Sequence, residues 1–340
     1  MTPSGTRRAV MPRELDPRHL ARHAVWAVAG VAVLLLVALL APGLGEVRGL
    51  LQDASAAWLA VAIALEVASS LSYVAMFRPA FCPRMSWRAS AQIALSELGV
   101  GSIVPASGAG GVALGAWILT RSGMAARVVA HRSIAFLLIK SGVNFAAVAI
   151  LGVAMALGLG PPQPLLLTVL PAALAVVVIV GVPVMSRAIA RAGRRREDGR
   201  LRTIATSIDE GTSEAGRLLR TGDPRLYGGA IGYWIFDNLV LLAAFAAFGA
   251  APPLTVVLLA YLIGQIGGAL PIPGGLGGID GGLIGTAILY GIAPAEAAAA
   301  VLLYRVVLFW VPLLLGAPAF VSLRRALQHP ERQDLLSAAG

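Results

Sequence analysis

Charge, cysteine and histidine are what this chain has least of. Only 13% of its 340 residues are charged, against roughly 25% in soluble domains. With 58% hydrophobic residues and a mean hydropathy of +0.81, it cannot cover a water-facing surface, which excludes a soluble fold. A single cysteine, Cys82, excludes an intramolecular disulfide and a cysteine-rich metal centre. The four histidines (His19, His23, His131, His329) are scattered. No HExxH or CxxC pairing occurs, so a zinc site lacks its ligands and no metal is expected. No G-x-x-x-x-G-K-[ST] is present to drive a process with nucleotide. G-x-S-x-G and DxxD-like pairs are missing too, so the usual constellations of membrane-embedded hydrolases and transferases are not there. Gly108 to Ala113 fits G-x-G-x-x-A in form, but it lies in an apolar stretch with no strand before it, and a dinucleotide site needs that βαβ setting. The protein is read as a non-enzyme without a cofactor.

Acids are scarce as well, 17 against 27 lysines and arginines, for a net charge of +10. Such a charge would suit nucleic acid, but the arginines cluster between apolar runs, as loops facing an anionic cytoplasmic leaflet do. The expected class is an all-α integral protein of the cytoplasmic membrane, with no nucleic-acid partner.

A crossing helix needs about 20 apolar residues. Six segments qualify: 24–41, 56–78, 133–157, 164–187, 227–249 and 297–323. The basic leader 1–23 followed by the first of these resembles a signal peptide, but no clear cleavage site follows, so it is read as a retained span. The expected organisation is that leader, a single transmembrane domain over 24–325, and a cytoplasmic tail over 326–340. Two further apolar stretches, 88–120 and 254–293, are broken near their middles by proline and glycine. Arginines at 78–88, 121–132, 191–225 and 324–325 are expected inside, with the uncharged linkers 158–163 and 250–253 outside. Both termini are then cytoplasmic. The two broken stretches become re-entrant helical hairpins of inverted orientation, one entered from each side.

The breaks fall at Val104–Gly111 and at Ile272–Gly278. Interrupted segments at matching places in two halves point to a transporter binding site; two kinked helices packed through glycine are the plainer alternative. Unpaired backbone there must be buried in protein or line a wet cavity. Half-helix N-termini beyond each break would direct positive dipole ends into it, which suits an anionic group. The connection 188–226 is either an amphipathic helix on the inner surface or a solvated basic loop.

Ionisable residues accompany the breaks. Glu66, Glu97, Asp237 and Asp280 lie within or beside the apolar segments, with Lys140 and Arg305 as cations. Each costs about 2.5–3.5 kcal/mol at the bilayer centre on insertion scales, so pairing or a polar cavity is expected. Arg305, Asp280 and Glu97 are read first as functional, and Lys140 and Asp237 stand even between function and pairing. Glu66, in an early span, reads first as structural pairing. Arg305 would meet a lipid phosphate, with Asp280 or Glu97 holding it when the site is empty.

Pro271-Ile272-Pro273-Gly274-Gly275-Leu276-Gly277-Gly278, an acid, then Tyr304-Arg305, Trp310, Pro312 and Gly316 resemble the signature of the lysylphosphatidylglycerol synthase transmembrane, or flippase-like, family. Glu97 followed by Val104-Pro105 and glycines 108, 110 and 111 resembles that family's first motif. The resemblance runs from about 55 to 325. It implies an all-helical bundle whose best-studied members move aminoacylated phosphatidylglycerol between leaflets. Asp280 departs from the family's more usual glutamate. The chain ends at Gly340 without the large soluble aminoacyl-transferring domain of bifunctional members, so lysyl transfer is not expected of it. The expected substrate-binding set is Glu97, Pro105, Gly108, Gly110, Gly111, Lys140, Asp237, Pro273, Gly274, Gly275, Gly277, Asp280, Tyr304 and Arg305, with membrane lipids as partners. Alternatives are a non-catalytic partner in envelope lipid assembly, a small-solute transporter, or a lipid-modifying enzyme.

Overall fold

A computed structural model describes residues 45–81, 83–103, 109–159, 164–194, 199–250, 252–266 and 278–328, with residues 22, 25, 28 and 29. All regular structure among them is helical. A short helix, α1 (Gly45–Gln52), precedes α2 (Ala56–Phe81), α3 (Trp87–Ile103), α4 (Ala109–Arg121) and α5 (Ala126–Ala156). Then follow α6 (Leu165–Arg194), α7 (Gly199–Arg220), α8 (Pro224–Ala246), α9 (Leu254–Ile266), α10 (Gly278–Leu289) and α11 (Pro294–Gln328). The segment 24–41, expected as the first span, lies almost entirely outside the described residues.

Five of these helices, α2, α5, α6, α8 and α11, are long and apolar enough to cross a membrane. They coincide with five of the six expected spans. The broken stretch 88–120 forms α3 and α4, of 17 and 13 residues, and 254–293 forms α9 and α10, of 13 and 12. The residues of the two expected breaks, 104–108 and 267–277, lie outside the described residues.

Helix ends follow local chemistry. The Asp223 side chain accepts from the Arg225 amide at 2.8 Å and Pro224 takes the first turn of α8, satisfying one donor and needing none at the proline. At the end of α5, Gly158 adopts φ +83 and its N–H donates to the Met155 carbonyl, while that of Leu159 reaches Ala154. A side chain would strain that left-handed residue.

The helices pack through small residues. A Cβ added to Gly99 of α3 would lie 2.9 Å from the Gly316 Cα of α11, and one on Gly264 of α9 would lie 2.8 Å from the Leu283 N of α10. In a membrane, where no solvent drives helices together, such close approach is what attraction depends on. On α6, Leu166, Val169, Leu170, Val177, Val180 and Val184 are exposed. This is the lipid-facing side of a peripheral helix.

The connection 188–226 resolves in favour of helix. Its first residues extend α6 to Arg194, and 199–220 form α7. Ala215 and Leu218 bury one side of α7 against the bundle. Arg127 and His131 of α5 pair with Glu210, the latter at 2.7 Å, and Arg132 approaches Glu214 at 3.6 Å. The Arg127 hydrogen bond, with His131 and Arg127 charge behind it, holds the Glu210 carboxyl below the usual carboxylate range.

Two apolar layers divide the interior. One gathers Phe77, Phe81, Ile93, Leu114 and Phe136, and the other Val240, Phe245, Val257, Leu259 and Val301. Along α2 the second layer reaches Ala62 and the first resumes at Tyr73; along α8 they end at Ala230 and Val240; along α5, at Ile139 and Val148. Glu66, Ser69 and Ser70 of α2, Lys140 of α5, and Asp237 and Asn238 of α8 fall between these buried apolar residues.

Candidate functional site

The gap is a polar layer in the middle of the bundle. Glu66, Ser69, Ser70 and Tyr73 recur at i, i+3, i+4 and i+7 on α2, which places them on one helical face. Tyr233, Asp237 and Asn238 supply the facing side of α8, and Lys140 enters from α5. Glu66, Glu97 and Asp237 are 5%, 4% and 6% exposed, so their charges are settled by neighbours rather than by water.

Glu97 sits on α3 against α4. Its Oε2 accepts from the Tyr73 hydroxyl at 2.9 Å. A Cβ on Gly115 would fall 1.4 Å from Glu97 Oε1, and one on Gly111 would fall 2.2 Å from the Glu97 carbonyl oxygen. Gly111 and Gly115, four apart, thus make a cradle that only glycine can form. Lys140 Nζ lies 5.9 Å from the Tyr73 ring centre and 5.5 Å from that of Tyr233. It acts electrostatically on both Glu97 and Asp237.

Asp237 is held by two tyrosines. Tyr261 of α9 donates to Oδ2, and the Tyr304 hydroxyl of α11 lies 3.2 and 3.3 Å from the two oxygens. One residue on, Arg305 pairs through Nε with Asp280 Oδ1. Asp280 stands in the first turn of α10, where a carboxylate complements the positive helix end. Arg305 Nη2 is buried and has no hydrogen-bond partner among the described residues. Of the two acids expected to hold Arg305, Asp280 does so and Glu97 is bound to Tyr73 instead. A guanidinium pinned on one edge with a nitrogen left over on another can receive a further oxyanion.

Of the expected site residues, Glu97 with Gly111, Lys140, Asp237 with Tyr304, and Arg305 with Asp280 join into this layer and its rim. Gly110 lies in the first turn of α4, and Pro105, Gly108, Pro273, Gly274, Gly275 and Gly277 fall outside the described residues. Tyr73, Tyr233, Tyr261 and Gly115 were not singled out in the sequence. Two signals for them exist: Gly111-x-x-x-Gly115 is a small-xxx-small repeat, and Tyr233 precedes Asp237 by one helical turn.

A multi-pass helical membrane protein that keeps carboxylates, a lysine and an arginine in its interior is thus defined by fold and site. Its sequence matches the model of the lysylphosphatidylglycerol synthase TM region over residues 25–316, and the chain belongs to that family. It is similar to UPF0104 membrane proteins of Methanothermobacter thermautotrophicus. One alignment is 28% identical over 129 residues and another 29% over 85. They cover 37% and 25% of this chain, and 38% and 25% of the length of those relatives.

Proposed function

We propose that this protein translocates a lipid, or a lipid-linked anionic head group, across the cytoplasmic membrane through the polar layer. It does so without covalent chemistry and with six crossings, two inverted re-entrant hairpins and both termini inside. The observation that carries this reading is Arg305: a half-buried guanidinium, fixed on one edge by Asp280, whose Nη2 is buried and unpartnered among the described residues. A guanidinium within an apolar span is costly unless it is paired or serves a pathway, and a lipid phosphate offers the bidentate acceptor that a guanidinium fits. The N-terminus of α10 adds backbone donors to the same region. The family's description, which names a synthase of an aminoacylated anionic lipid, supports lipid as the substrate class.

The test is reconstitution. Fluorescent phosphatidylglycerol placed in one leaflet of proteoliposomes should become accessible to a membrane-impermeant quencher from the other. Arg305→Lys keeps the charge but loses the fork and should slow translocation; Arg305→Ala should slow it further. Full translocation by a well-folded Arg305→Ala variant would return Arg305 to structural pairing. Retention of every lipid class in its own leaflet would favour the non-transporting role in envelope assembly.

A further inference from the structure

The interior charges do not balance. Four acids, Glu66, Glu97, Asp237 and Asp280, share the described interior with Lys140 and Arg305. Arg305 is committed to Asp280, and Lys140 acts on both Glu97 and Asp237. Glu66 is left with an anion as its charged neighbour. Ser69 of α2 donates to the Tyr233 carbonyl of α8 at 3.3 Å, and Glu66 and Asp237 stand one turn from these on the facing helices, where they interact. Glu66 Oε2 is buried with no hydrogen-bond partner among the described residues, and the residue is 95% buried by its 5% exposure.

Two carboxylates that feel each other in a low-dielectric site do not both ionise; the pair retains a proton. Ionised, Glu66 Oε2 would be an acceptor without a donor, which burial makes costly. Protonated, the same oxygen becomes an O–H donor and carries no charge to be stranded. Other titratable groups reach the pair from each packed helix. Tyr233 of α8 and Tyr304 of α11 interact with Glu66, while Tyr261, Tyr304, Lys140 and Arg305 act on Asp237.

We propose that Glu66 and Asp237 form a proton-binding site in the membrane interior, and that the proton exchanged there is the coupling ion for translocation. The site takes up one proton as a carboxylate becomes a carboxylic acid, and releases it unchanged. No bond other than O–H forms or breaks. The link to the substrate is Coulombic. Asp237 lies within electrostatic reach of both Lys140 and Arg305, so adding the proton removes negative charge from around both cations. An anionic head group then binds more tightly to the loaded state and is released when the proton leaves. The coupling rests on the translocation reading above; the proton site does not.

Two measurements separate them. In the purified protein in bilayers, infrared difference spectra across a pH titration should show the C=O stretch of a protonated carboxyl, lost in Glu66→Gln and displaced in Asp237→Asn. Glu66→Gln preserves shape and mimics the protonated acid, so it should fold, as an unchanged gel-filtration profile would confirm. In proteoliposomes, an imposed pH difference should bias the final leaflet distribution of fluorescent phosphatidylglycerol, and Glu66→Gln should abolish that bias. Absence of the carboxyl band, or its survival in both variants, overturns the site. A band with lipid movement indifferent to the pH difference overturns the coupling. A band that behaves as expected, with no lipid crossing under any gradient, overturns the lipid reading and leaves the proton site standing.

Discussion

Gly316→Ala is the sharpest test of how α3 and α11 hold the site together. A Cβ at Gly316 would lie 2.4 Å from the Leu95 carbonyl oxygen, 2.7 Å from the Gly99 Cα and 2.9 Å from the Gly99 amide nitrogen. All three are backbone atoms, so no rotamer change relieves the contact. The nearest is about 1 Å inside ordinary van der Waals distance, and α11 must retreat from α3 by something near that amount. Overpacking of a close-packed interior costs about 1–3 kcal/mol, and the retreat would also strain the bond from Gln92 to the Ser322 hydroxyl at 2.7 Å. Gly181→Ala on α6 is the control, because nothing lies within 4 Å of a Cβ there. It should be neutral or stabilising, since alanine favours helix over glycine by roughly 0.5–1 kcal/mol. The assay is thermal unfolding in one detergent at one protein concentration. Gly99→Ala should resemble Gly316→Ala, and the double variant should cost less than the sum, because either substitution opens the same seam. Equal melting of Gly316→Ala and Gly181→Ala would refute the close packing of α3 on α11.

Tyr73→Phe should lower stability by about 1–3 kcal/mol through the acceptor it strands on Glu97, measured by the same unfolding. A loss no larger than that of an exposed Tyr227→Phe would count against the Tyr73–Glu97 bond. Topology is tested by single cysteines in a Cys82→Ser background: residues 200 and 326 should react with an impermeant maleimide only in inverted vesicles, and labelling of residue 200 in intact cells would reverse the orientation. The docking of α7 on α5 should depend on pH with a definite sign. The hydrogen bond from Arg127 of α5 holds Glu210 below its usual range, and Glu214, which Arg132 of α5 approaches, is held low chiefly by Arg217 within α7. Their contribution is therefore complete above that range and is lost as pH falls through the lowered folded-state values. Hydrogen-exchange protection in α7, corrected for the intrinsic pH dependence of exchange, should be unchanged between pH 8 and 6 and should fall only in more acid solution; the effect is modest because the Arg127–Glu210 pair is solvent-exposed.

Composition and hydropathy were enough to read the helical membrane class and five of the long apolar helices. That legibility has a plain cause: in lipid the backbone must satisfy itself helix by helix, so the hydrophobic run is written locally. The interior acids and cations were legible for the same reason, since any charge in an apolar run stands out. What each charge touches was not local. Asp280 rather than Glu97 holds Arg305, and Tyr73, 24 positions away, holds Glu97. Glu66 read as a bland structural acid because its neighbour Asp237 lies on α8, brought to it by the long α2–α8 interface rather than by any spacing in sequence. Gly111 read as part of a break, yet its contact is the Glu97 backbone. The basic stretch after α6 left loop and helix open until packing against Ile134 and the α5 ion pairs decided for helix. A sequence records the cost of burying a charge; which partner offsets that cost is a matter of helices crossing in space, and only the tertiary structure decides it.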